Sequence, residues 1–292
     1  MRLTAFTVVA FAHVLFAQQE PARARSSYDE GRMAMRERRT DDAVRAFERA
    51  VALDSTKSEY HVWLGHAYTR QLMAASFIRK GIIGRRIGPQ YDRAVALDSG
   101  SIEAAEARLD FYLNAPGIAG GGMDKAQAEA VRIEHLSAYY GAFARATIAQ
   151  KSKNWVTAET EYRSLIRAYP DSTRPVNALA SLLQTQERFA EAFDVIDRRL
   201  ARVPDDTFVV YQLGRTAALS GQNLSRGAAA LERFLALLGV NDPASRAPAH
   251  YRLGMIREKQ GDVQAARAQY DSAVALSPRY DDAIAARKRL RP

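Results

Sequence analysis

Apolar and small residues recur at three- and four-residue steps along almost the whole chain, and Gly or Pro closes each run. That spacing predicts amphipathic helices arranged in pairs. In the last pair, a first helix is expected over Ala249–Lys259, followed by the turn Gln260-Gly261-Asp262. The second helix carries Ala266, Tyr270 and Ala273 on one face and stops at Pro278. Proline donates no backbone hydrogen bond and disfavours helix in the residue before it. A final helix over Asp281–Leu290 mixes Ala283, Ile284, Ala286 and Leu290 with Arg287, Lys288 and Arg289, the composition of a polar cap on an open end.

The pattern is periodic. Gly254 is followed by Ala266, Tyr270, Ala273 and Pro278, and Gly31 is followed at the same offsets by Ala43, Phe47 and Ala50, with Ser55 in the proline slot. The next anchor, Gly65, comes thirty-four residues after Gly31. Ala146 leads to Ala158, Tyr162 and Pro170, Ala180 to Ala192, Ile196 and Pro204, and the following anchor is Gly214. A fixed period in this range predicts an array of stacked hairpins. One hairpin alone buries too little apolar surface to offset the entropy of ordering it. Small anchor residues let paired helices approach closely, and the following Tyr or Phe is expected to fill the space between neighbouring units.

Leu64-Gly65 with Tyr68, Leu213-Gly214 and Leu253-Gly254 make this pattern resemble the tetratricopeptide repeat, whose signature runs Leu-Gly, Tyr, then Ala, Phe and Pro. The resemblance covers residues 26–292 and implies an all-α fold, a right-handed α-solenoid of about seven hairpins with a C-terminal capping helix. The repeat changes length in three places. About ten extra residues separate Gly65 from Tyr91; Asp110 occupies an anchor position, with Ala126, Ala130 and Ile133 displaced by about one helical turn; and Gly214 reaches Ala230, Phe234 and Leu237 with about four extra.

For function, the resemblance implies a non-catalytic scaffold that binds a protein or peptide in a concave groove lined by the first helices. The matching positions are Tyr140, Phe143, Thr147 and Lys151; Arg174, Asn177, Ser181 and Gln184; Phe208, Tyr211 and Arg215; and Tyr251, Met255 and Lys259. Aromatics beside Arg and Lys suit a peptide of acidic character. The Lys and Asn pairs with which chaperone-binding members grip a terminal carboxylate are not recognisable.

Composition adds a compartment and a charge. Arg2, the apolar run Leu3–Phe16 and the small Ala17 have the form of a cleavable secretory signal. Residues 18–25 are then expected to be a polar tether, and the mature chain to be periplasmic or secreted. The absence of cysteine excludes disulfides and thiolate zinc sites. The formal net charge is +9, and loss of residues 1–17 removes one Arg and no acid, leaving +8. Most of these charges alternate with acids, as in Arg45-Ala46-Phe47-Glu48-Arg49, which reads as solvated helix faces ahead of a polyanion site. The expected partner is therefore a protein or acidic peptide, with a membrane surface second and nucleic acid disfavoured.

His61 and His66 diverge on a helix, His135 and His250 are distant, and no His-Glu-x-x-His, nucleophile elbow or Walker loop is present. The sequence thus calls for no enzyme activity, no metal and no cofactor. Two irregular segments remain. Residues 74–90 interleave Phe77, Ile78, Ile82, Ile83 and Ile87 with Arg79, Lys80, Arg85 and Arg86, a lengthened helix end that either packs across its neighbour or forms an alternative basic contact surface. Pro116–Gly122, glycine-rich before a helix, is either an enlarged connection or an anion cradle, with the connection favoured.

Overall fold

The structure, a computed structural model, describes the backbone of residues 4–238 and 243–290 and the side chains of residues 20–76, 78–238 and 245–290. Every regular element among them is helical. In chain order these are α1 (Thr4–Arg36), α2 (Thr40–Leu53), α3 (Ser58–Ala74), α4 (Phe77–Leu97), α5 (Ile102–Asn114), α6 (Met123–Leu136) and α7 (Ala138–Lys151). Then follow α8 (Trp155–Ala168), α9 (Thr173–Thr185), α10 (Phe189–Arg202), α11 (Thr207–Ser220), α12 (Leu224–Leu237), α13 (Pro243–Lys259), α14 (Val263–Leu276) and α15 (Asp281–Arg289). Successive packed pairs of helices, three within each of two units, make this an α-solenoid fold. The chain divides into two compact units, residues 1–152 and 153–292, so that α7 closes the first and α8 opens the second.

In the first unit α1 packs on α2, α3 on α4 and α5 on α6, and the first helices also touch one another, α3 meeting α1 and α5, and α5 meeting α7. The anchor glycines explain the closeness of the pairs. An added Cβ would lie 2.6 Å from Phe47 Cε1 at Gly31 and 2.5 Å from Tyr91 Cε1 at Gly65. The aromatic ring therefore lies over the glycine of its own hairpin. It also reaches the next pair, since Phe47 is 6.1 Å from Trp63 and Tyr91 is 6.2 Å from Phe111 between ring centres. Glu129, buried, accepts from both Arg108 and Arg132 and ties α5 to α6.

One expectation is altered here. Residues 18–25 are not a tether but part of α1: Ala24 is fully buried, and Arg25 pairs with Glu59 of α3 at 3.2 Å. The side chains of residues 1–17, read as a signal, lie outside the described residues. The ten extra residues after Gly65 divide into three in α3 and seven in α4, whose lengths are 17 and 21 residues against 14 for α2 or α11. Seven residues are about two helical turns, so the apolar face keeps its direction, and Ile83 and Ile87 stay buried.

In the second unit α9 packs on α10, α11 on α12 and α13 on α14, while α11 lies between α9 and α13. Gly254 again faces its ring, with 2.4 Å from a Cβ to Tyr270 Cε1. The pair α11/α12 corrects the expected spacing. Leu231, not Phe234, covers Gly214, and Gly227 stands in the small slot against Ala217. Only one extra residue is thus needed, and it lies at the end of α11, since the turn Gly221–Asn223 has the same length as those after α9 and α13. The buried pair Arg199–Asp206 at 2.7 Å, with Arg199 also donating to the Pro170 and Asp171 carbonyls, fixes the link between α10 and α11.

Candidate functional site

On α9, Arg174, Asn177, Ser181 and Gln184 follow helical spacing along one stripe, as do Phe208, Tyr211 and Arg215 on α11 and Tyr251, Met255 and Lys259 on α13. Their ends are wet: Arg174 and Lys259 are exposed, and Phe208 is 67% exposed. The middle is a polar network. Gln212 Nε2 donates to Asn177 Oδ1 at 2.6 Å and Ser181 Oγ at 3.1 Å. Gln184 Nε2 donates to Gln212 Oε1 at 3.0 Å and Thr216 Oγ1 at 2.8 Å. Arg215 Nη1 donates to Ser181 Oγ at 3.2 Å and to Gln184 Oε1.

All of these partners are neutral. Arg215 has no ion pair among the described residues, and its pKa lies below the ordinary value because burial disfavours the charge and Arg252 adds like-charge repulsion. Arg252 likewise has no ion pair among the described residues. Its Nη1 donates to the Met255 sulfur at 3.0 Å, its guanidinium lies 5.1 Å from the Tyr251 ring centre, and its buried Nε has no hydrogen-bond partner. Tyr251 packs 5.1 Å from Tyr280, whose phenol burial pushes up to about 12. Tyr211 packs on Phe234 at 5.0 Å. Two guanidiniums without a carboxylate, walled by tyrosines, form a place where an anion would relieve an uncompensated charge.

The α7 positions belong to the first unit. There Tyr140 packs on the cluster of Ala105, Leu109 and Ile133 and meets Tyr139 edge-on at 5.0 Å, Phe143 gives its carbonyl to Thr147, and Lys151 donates to Asn114 Oδ1 at 2.8 Å. Sequence reasoning missed Arg252, Gln212 and Tyr280. Arg252 and Gln212 sit beside the chosen stripe, and Tyr280 follows a turn, so no helical spacing pointed to them.

The basic residues of 74–90 are not alike. All four are exposed, but Arg86 pairs with Glu48 at 2.6 Å and lies 4.3 Å from the Tyr68 ring centre, whereas Arg79, Lys80 and Arg85 make no ion pair among the described residues. The Pro116–Gly122 segment is a connection. Its amides at Ala119, Gly120 and Gly121 donate to Pro116 or Gly117 carbonyls, and that of Gly122 donates to Tyr112 O at 2.9 Å, so these four are occupied within the protein.

Residues 28–72 and 215–281 match the tetratricopeptide repeat family. A search of curated proteins finds no match. Among solved structures, a tetratricopeptide repeat protein from Parabacteroides merdae is 13% identical, with a TM-score of 0.56 over 92% of this chain and 99% of its own. Yeast Tom70 is 16% identical, with a TM-score of 0.73 over 94% of this chain. A chain of the APC/C hetero-tetramer Cut9–Hcn1 is 15% identical, with a TM-score of 0.56 over 93% of this chain. This chain spans 54% of the Tom70 chain and 48% of the other. At such identities the likeness is one of fold. The two matched segments are similar to the tetratricopeptide repeat, and the helical architecture is similar to that of these solved structures.

Proposed function

We propose that this protein is a non-catalytic scaffold that holds a protein or peptide segment bearing an acidic side chain or terminus. The carrying observation is the pair Arg215 and Arg252, half-buried together without a carboxylate and flanked by Tyr211, Tyr251 and Tyr280. An incoming carboxylate replaces two unfavourable terms, desolvation and like-charge repulsion, with a charge-assisted hydrogen bond. The tyrosines supply apolar area at little entropic cost. Arg174, Asn177, Phe208 and Lys259 extend the contact along the stripe. We further propose that the protein is exported, on the support of the apolar run Leu3–Phe16 between Arg2 and Ala17.

Selection of peptides from a random library on the full chain tests the binding reading. The selected peptides are expected to be enriched in Asp and Glu, and Arg215→Gln with Arg252→Gln should weaken them by about tenfold or more. Peptides without acidic enrichment, or binding unchanged in the double variant, would remove the basis of the proposal. Mass spectrometry of the N-terminus checks export: cleavage after Ala17 is expected, and an intact Met1 in the exported fraction contradicts it.

A further inference from the structure

The two segments that break the repeat in the first unit meet around one cleft. The added turns of α4, the ends of α3 and α5, and the 3-10 turn Gly117–Ala119 enclose a space of about 890 Å³, within the range of small-molecule sites. Its walls are apolar, from Leu72 and Met73 across Ile78 and Ile87 to Phe111 and Ile118. Met73, Ile78 and Ile118 are 81, 80 and 90% exposed. Single exposed apolar side chains are ordinary; three around one opening are not.

The glycines of α4 sharpen the point. Gly88 is required by packing, since a Cβ there would lie 2.8 Å from Phe111 Cε1. Gly81 and Gly84 line the cleft, and nothing described requires them: a Cβ at Gly81 meets no atom within 4 Å, and at Gly84 only Leu72 Cδ1 at 3.9 Å. Glycine inside a helix is destabilising relative to alanine, so these two positions keep a space open against the helix's own preference.

Charge and polarity narrow the occupant. Lys80 and Arg85 line the cleft and have no side-chain hydrogen bond or ion pair among the described residues. The neighbouring Arg86 is occupied by Glu48. Asp110 is the one carboxylate among the described lining residues. The polar groups of the interior satisfy one another: Tyr91 Oη lies 3.0 Å from His66 Nδ1, and Thr69 Oγ1 donates to Gly65 O at 2.9 Å. A peptide backbone would find few partners on these walls. We infer that the cleft binds a single-chain anionic amphiphile of the long-chain carboxylate class, its chain lying over Gly81 and Gly84 and its head paired with Lys80 and Arg85. This site is separate from the Arg215–Arg252 groove.

Calorimetric titration of the full chain with octanoate, decanoate and dodecanoate tests the inference, with dodecyltrimethylammonium as the cationic control. Affinity should rise about fourfold per added methylene. Gly84→Leu should abolish binding without lowering the melting temperature, and Lys80→Gln with Arg85→Gln should weaken it about tenfold. In the Arg215→Gln, Arg252→Gln variant, where that pair no longer competes for the carboxylate, the rise in affinity with chain length should remain; its loss there would move the amphiphile to the second unit and overturn the assignment. Absence of carboxylate binding, unchanged binding in Gly84→Leu, or equal affinity for the cationic amphiphile also overturns it. Should Gly84→Leu fold poorly, Ile118→Asp decides, because that side chain is exposed: retained dodecanoate affinity sinks the inference.

Discussion

At Gly254 a single hydrogen sets the distance between two helices. A Cβ there would fall 2.4 Å from Tyr270 Cε1, and the ring cannot retreat because Tyr270 is fully buried and donates to Glu258 Oε2 at 2.8 Å. Gly254→Leu should therefore overpack the α13/α14 pair and cost about 1–3 kcal/mol, read as a lower melting temperature. An unchanged melting temperature would mean that the two helices have room to separate. This contact was legible in the sequence at Gly31 and Phe47 and at Gly254 and Tyr270, where small and aromatic residues keep one offset, and at Gly65 and Tyr91 once the ten extra residues between them are allowed for. It was misread at Gly214, where Leu231 takes the place of the ring and an aliphatic residue leaves no distinctive mark in an alternating helix.

At the scale of the element, one turn is reused between paired helices. After α9, Glu187 donates to Gln184 O at 3.1 Å and Arg188 to Leu183 O at 2.9 Å; after α13, Gly261 donates to Glu258 O at 3.0 Å and Asp262 to Arg257 O at 3.0 Å. The pivot is left-handed in both, with φ of 57° at Glu187 and 83° at Gly261. A side chain in that region crowds the following carbonyl, and Glu187 is exposed. Glu187→Gly is therefore expected to stabilise the second unit by about 0.5–1 kcal/mol, after the larger chain entropy of glycine is subtracted. Denaturant unfolding measures it, and a destabilised variant would refute the strain. The sequence marked this turn only where it contains glycine, because helical periodicity says nothing about the residue that ends it.

At the scale of the whole molecule, stability depends on buried neutral groups because no disulfide is available. His66, shielded from water, has its pKa lowered from 6.5 by burial. Below pH 6.5 the unfolded chain binds a proton that folded His66 resists, so stability should fall as pH drops from 6.5 towards about 5, by at most about 1.4 kcal/mol per pH unit. On the other side, burial pushes the Tyr91 phenol up to about 12 from 10. Its contribution is complete below pH 10 and is lost as pH rises through about 12. Denaturant titrations between pH 5 and 7 should show a flatter acid limb in His66→Gln; an identical slope would mean that His66 is freely hydrated in the folded state.

The sequence by itself determined the periodic part of the protein: paired helices, their all-α stacking, about seven units and the glycine-ring contacts. These follow from local spacing, which is a property of the chain. It also located both irregular segments, as departures from the period. Only the tertiary structure decided what they build. That Gly81 and Gly84 line one open cleft with the 3-10 turn at Gly117–Ala119, and that Arg252 comes near enough to Arg215 to repel its charge, depends on which side chains from distant helices converge. Spacing along a helix fixes a face. Only the packing of one helix against another fixes what that face meets.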